Sequence, residues 1–137
     1  MKTTHPFNTI TLIASGAVGE YCLVRFDGAQ ASTAGEKVAG VARFNAGNLE
    51  AITVDVSGIV LVKTGAAIAQ GDSLVSDANG QAIPALALAV DAGVTAVGST
   101  AANGPILVGG DLPEFVFGDA MEAASGAGQL VQVLLRR

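Results

Sequence analysis

Residues 50–63 read EAITVDVSGIVLVK, and this stretch decides the fold class. Ile52, Val54 and Val56 alternate with Ala51, Thr53 and Asp55, the period-2 signature of a strand with one face buried. Ser57-Gly58 interrupts the alternation. Residues 59–63 (IVLVK) then form an apolar, β-branched run that predicts a second, more buried strand.

Working outward, the same grammar repeats. Residues 38–44 (VAGVARF) precede a turn at 45–48 and predict a strand. Residues 20–26 (EYCLVRF) predict another, with Cys22, Val24 and Phe26 on one face and Tyr21, Leu23 and Arg25 on the other; Asp27-Gly28 ends it. Residues 9–13 are β-branched and short, a plausible first strand. Downstream, residues 65–71 (GAAIAQG) make a compact crossing into a strand at 73–76. Asn79-Gly80 predicts a type I′ hairpin turn, in which both central residues need positive φ. Residues 115–121 begin a further strand, and residues 129–135 (QLVQVLL) a terminal one. Residues 85–110 are Ala-, Val- and Gly-rich and leave a short helix over 85–92 and short strands equally open.

The expectation is therefore an all-β protein with little helix. It is a compact β-barrel or sandwich of about ten short strands, β-clip or β-tulip-like. Residues 1–7 (MKTTHPF) are polar, contain a proline and lack periodicity, so they read as a flexible, extended N-terminal arm. Residues 8–137 read as a single β domain, since 137 residues suit one core.

Composition narrows the function classes. Only 14% of residues are charged, low against about a quarter for a typical soluble domain. This points to a surface partly covered by partner subunits. The net charge is −5, and between Lys63 and Arg136 every charged residue is an acid, so no electrostatic footprint for nucleic acid is expected. There is one Tyr and no Trp, a poor supply of stacking surfaces for sugars or bases. The single cysteine, Cys22, permits no intrachain disulfide and lies in an apolar run, as a buried thiol would. Residues 1–7 hold no signal-peptide core and no stretch is long and apolar enough for a membrane span. Synthesis in the cytoplasm is expected, with no membrane partner.

Reactive constellations are scarce. His5 is the only histidine and lies in the arm, where nothing holds a catalytic base rigidly. One Cys and one His cannot build a Cys/His zinc site. Asp72, Asp77, Asp111 and Glu114 lie at turns, where carboxylates ordinarily accept backbone N–H bonds. Residues 104–110 (GPILVGG) are glycine-rich but lack the lysine and helix start of a phosphate loop. No catalytic residue, metal ligand or cofactor is assigned, and no enzymatic activity is expected.

Two likenesses carry more information. Residues 56–74 run strand, Lys-x-Gly, small crossing, Gly-Asp, strand. This layout is similar to the second half of biotinyl and lipoyl carrier domains, where the Gly-Asp turn lets the chain recross a flattened barrel. The carriers' Met-Lys-Met or Asp-Lys-Ala tripeptide is missing, and Lys63 sits at a strand end, so the barrel geometry transfers and the carrier role does not. Second, residues 58–74 together with the ending GDAMEAASGAGQLVQVLL at 118–135 resemble the phage capsid cement family. Gly118, Ala120, Ala123, Gly126, Gly128, Val131, Val133 and Leu134 fit that family's small-residue ending to within one position.

The resemblance implies a non-enzymatic virion protein on the outer surface of a tailed-phage capsid, bridging major capsid proteins and stabilising the expanded shell. It also implies self-association, as a homotrimer, with dimeric cement proteins as the alternative. Thr3, Thr4, His5, Pro6 and Phe7 are the expected capsid contacts, through strand addition to a sheet edge. The competing readings are another β-structured virion component, such as a tail or baseplate module, and a biotinyl/lipoyl-like barrel without a carrier motif.

Overall fold

The computed structural model describes residues 2–86, 89–90, 107–108 and 115–136. Ten strands run through them: β1 His5–Ile13, β2 Leu23–Val24, β3 Gly40–Ala42, β4 Ala51–Lys63, β5 Ser73–Ser76, β6 Ala82–Pro84, β7 Ala89–Val90, β8 Leu107–Val108, β9 Gly118–Ala120 and β10 Leu130–Leu135. The described residues contain no α-helix. Eight strands form one sheet in the order β2-β3-β4-β10-β9-β5-β6, with β1 attached to β4. β7 and β8 pair separately. Most of the 85–110 stretch, with Asp91, Asp111 and Glu114, lies outside the described residues.

The all-β expectation holds, and the sheet curls into a nearly closed barrel. Its two ends meet where Leu23 donates to the Gly80 carbonyl (2.7 Å) and Gly35 donates to the Ser76 carbonyl (2.8 Å). The hairpin at Asn79-Gly80 connects β5 to β6, but it is not a type I′ turn: only Gly80 has positive φ (70°). The Asp77 carboxylate holds the loop instead, accepting the N–H groups of Asn79 (2.7 Å) and Gln81 (2.8 Å).

Residues 51–63 fold as one strand. The predicted break at Ser57-Gly58 is a bend, because Gly58 adopts φ 96° and lets β4 continue. Opposite it, the register with β1 shifts twice, between Pro6 and Asn8 and between Asn8 and Thr9. The predicted strand at 20–26 shortens to Leu23–Val24, since Tyr21 at φ 60° turns the chain. Cys22, Leu23 and Val24 are then all buried, without the expected alternation.

The bend in β4 separates two halves that repeat each other, residues 9–55 and 59–134. In the first, Ile13 pairs with Ala51, Ala42 with Val54, and Val24 with Gly40. In the second, Lys63 pairs with Leu130, Ala120 with Val133, and Leu74 with Gly118. The connections repeat as well: Val18 bridges Ala46, and Ile68 bridges Ala124. Tyr21 donates to Ala42 and Gly71 to Ala120, both at 2.8 Å; Leu49 donates to Ala14 (2.8 Å) and Gly128 to Thr64 (2.7 Å). All four of these turn donors have positive φ.

Each half closes an apolar cluster at corresponding positions. Val18, Val24, Ala42, Ala46, Ile52 and Val54 form one. Ile68, Leu74, Ala120, Ala124, Val131 and Val133 sit in the larger one, which Leu23, Val38, Val41 and Phe117 extend. β4 belongs to both, so the two cores share one continuous backbone.

Candidate interaction surface

The surface is built chiefly by β1, an outer strand whose residues are mostly exposed. Its sequence explains its position. Pro6 has no N–H to give to a sheet and is tolerated on an edge strand. The β-branched Thr9, Ile10 and Thr11 favour extended backbone on the same strand.

Thr3, Thr4, His5, Pro6 and Phe7 form one continuous strip. His5, Pro6 and Phe7, placed in the arm by the sequence, are the start of β1: His5 pairs with Ile59 and Pro6 with Gly58. Gly58 is what allows this approach, since a Cβ there would meet the His5 carbonyl oxygen at 2.6 Å and the Phe7 nitrogen at 2.7 Å. Lys2 and Thr3 are also tied down. The Thr3 carbonyl accepts from Gln132 Nε2 (3.0 Å), Thr3 Oγ1 lies 2.8 Å from His5 Nε2, and Lys2 donates to the Leu130 carbonyl and pairs with Glu122 at 3.4 Å. The strip is laid against β4 and β10, and Phe7 stands 89% exposed above it.

Further large apolar side chains stand out of the same region: Ile10 and Ile13 on β1, Leu49 before β4 and Leu134 on β10. The sequence did not single these out, because alternation assigns Ile and Leu on strands to the core. The available signal was Pro6 itself, which marks its strand as an edge.

Several charged groups around the strands are paired. Asp55 is buried, and Arg43 donates to it through Nη2 (2.6 Å) and Nε (3.3 Å). Arg136 holds Asp119 through Nη2 (2.8 Å) and Nε (3.1 Å), and Nη2 also donates to Ser73 Oγ (2.9 Å). Hydrogen bonding from Arg136 pulls the Asp119 carboxyl below the ordinary value, against a weaker opposing effect of burial. Asp27 is lowered chiefly by its hydrogen bond from Arg25. Burial pushes the Cys22 thiol up.

Asp72 and Asp77, weighed as candidate acids from the sequence, serve turns. Asp72 Oδ2 accepts from Ala69 N (2.8 Å), and Asp77 takes the hairpin bonds described above. Among the described residues no three His, Cys, Asp or Glu side chains converge as a metal site, and no cavity opens. No helix among them is long and apolar enough to cross a membrane. The arrangement offers a strand edge, exposed apolar side chains and paired charges, the means of surface recognition.

Comparison with known proteins gives the same direction. A family model described as phage cement protein matches residues 2–136. No curated protein matches the chain. Among solved structures, the head fiber gp8.5 N base of bacteriophage phi29 is similar with a TM-score of 0.62 at 21% identity, covering 93% of this chain and 92% of that one. At that identity the likeness shows the shared fold.

Proposed function

The chain belongs to the phage cement protein family, and from that premise we propose that it binds the outer surface of a tailed-phage head and stabilises the expanded shell by bridging neighbouring major capsid proteins. It acts there as a structural component of the capsid, without catalysis. The single observation that carries the reading is the match of that family over nearly the whole chain. The exposed apolar strip on β1 supports it physically. Apolar side chains held out on a paired strand, with Phe7 foremost, are what a partner surface would cover. The phi29 relative is a head fiber, which favours a place on the head over one in the tail.

Thr3, Thr4, His5, Pro6 and Phe7 make the first capsid contacts in this reading. Since they are docked on β4 and β10, they present a ready-made edge instead of an arm that folds on arrival, so less ordering entropy opposes binding. The chain also associates with itself, as a homotrimer, with a dimer as the alternative. Several weak contacts per assembly then act together.

The mechanism is mass action: a protein that binds only the expanded lattice shifts the shell toward that state by its differential affinity. The test is co-sedimentation of purified protein with expanded and with unexpanded heads. Pelleting with expanded heads alone is expected, reduced for Phe7→Ala. Equal pelleting with both, or none with either, would contradict the reading.

A further inference from the structure

The repeat within the chain exposes a contact that is made once and left open once. Ala14 donates to Glu50 and Thr64 to Gln129. These bonds fix the alternation of each outer strand. Thr9, Thr11 and Ile13 therefore turn their backbone polar groups away from β4, as Ile59, Leu61 and Lys63 turn theirs away from β10. In the second half that outer edge is covered: Ile59 pairs with His5, and the Lys63 N–H donates to the Tyr21 carbonyl at 2.9 Å. In the first half no strand pairs with the corresponding edge among the described residues; the Gly28 turn lies against the Ile13 carbonyl, but no turn accepts from the Ile13 N–H as Tyr21 accepts from that of Lys63.

Burial follows the same division. Val60 is fully buried and its counterpart Ile10 is 37% exposed. Ile13, the counterpart of Lys63, is 58% exposed. The turn that covers the second half is the one at Tyr21, and its counterpart at Gly71 is exposed, with nothing within 4 Å of where a Cβ would stand. A twofold relation between the halves would bring Gly71 onto Ile13 of the same chain. The exposure of both shows that the relation does not close within one chain.

We infer that the Gly71 turn of one copy docks on the β1 edge of the next at Ile13, repeating between chains the Tyr21–Lys63 contact made within each. The occupant is a second copy because this chain carries both the Ile13 N–H that lacks such a turn and the free counterpart of the turn that meets it in the other half. The contact is head-to-tail, using two different surfaces, and such contacts generate rings when the rotation closes. The inference rests on the self-association proposed above and names the surfaces that carry it.

The test uses the full chain and its mass in solution. The wild type is expected to exceed one chain. Ile13→Lys puts a charge on the edge, and Gly71→Asn adds a side chain to the turn with a residue that tolerates positive φ. Each variant alone is expected as a monomer with an unchanged circular dichroism spectrum. Their equimolar mixture is expected to form a two-chain species, since one intact edge meets one intact turn. A monomeric wild type, or an Ile13→Lys variant of wild-type mass, would overturn the interface. So would a wild type that forms its assembly only on heads. A monomer that still pellets with expanded heads leaves the cement reading standing, and an oligomer that ignores heads does the reverse.

Discussion

Gly40 and Gly118 occupy corresponding places in the two halves, and neither leaves room for a side chain. A Cβ on Gly40 would lie 2.2 Å from the Asp55 carbonyl oxygen, and one on Gly118 would lie 2.6 Å from that of Leu134. Backbone cannot yield as a side-chain tip can, so Gly40→Ala should destabilise the fold by about 2 kcal/mol, the usual scale for overpacking. Gly118→Ala should cost a similar amount. Urea unfolding checks both; unchanged midpoints would mean the strands part more easily than the structure indicates. Asp119 sets a pH dependence. Its folded pKa is lowered, chiefly by Arg136, so its contribution is present above the ordinary carboxylate value and is lost as pH falls through the folded value. The pair is substantially exposed, which limits the contribution to under about 1 kcal/mol. Asp119→Asn should lower the unfolding midpoint slightly at neutral pH and match the wild type in acid. A difference that persists in acid would assign the effect to packing.

At the scale of elements, β4 is the spine, since β1, β3 and β10 all pair with it. Gly58 controls how far β1 reaches along it. Gly58→Val should release the start of β1 while sparing the cores, because the atoms nearest its Cβ belong to residues 5–7. Amide exchange should show protection lost at His5 and Phe7 and kept at Leu12. Loss along all of β1 would contradict a local role. The strands around residues 50–63 were legible because alternation and β-branching report burial directly. Two features were not. Ser57-Gly58 read as a break because a glycine at positive φ ends most strands; only the partner strand reveals a bend. The start of β1 read as an arm because Pro6 and the polar residues around it carry no period, and their order comes from contacts with β4 and β10, distant in sequence. The duplication left one signal, the spacing Gly40-x-Ala42-x-x-x-Ala46 repeated at Gly118-x-Ala120-x-x-x-Ala124. These small residues repeat because they sit where backbones approach closely. Elsewhere the halves have diverged, as burial requires: Ile13 faces out where Lys63 meets a turn.

For the whole molecule, the fold was legible from the strand patterning and the family from residues 58–74 with the glycine- and alanine-rich ending, whereas the exposed apolar positions on β1 were not, since exposure depends on which strand lies at the edge. The molecule joins two small cores through one strand and leaves apolar side chains standing on the outermost one. That construction suits a protein whose purpose is met on a larger surface; in the function proposed above, many copies would each add a small differential affinity for the expanded lattice. The most direct measurement is the temperature at which expanded, DNA-filled heads release their DNA, followed as purified protein is added. The account predicts a rise that saturates with occupancy of the shell. An unchanged release temperature at full occupancy would contradict it.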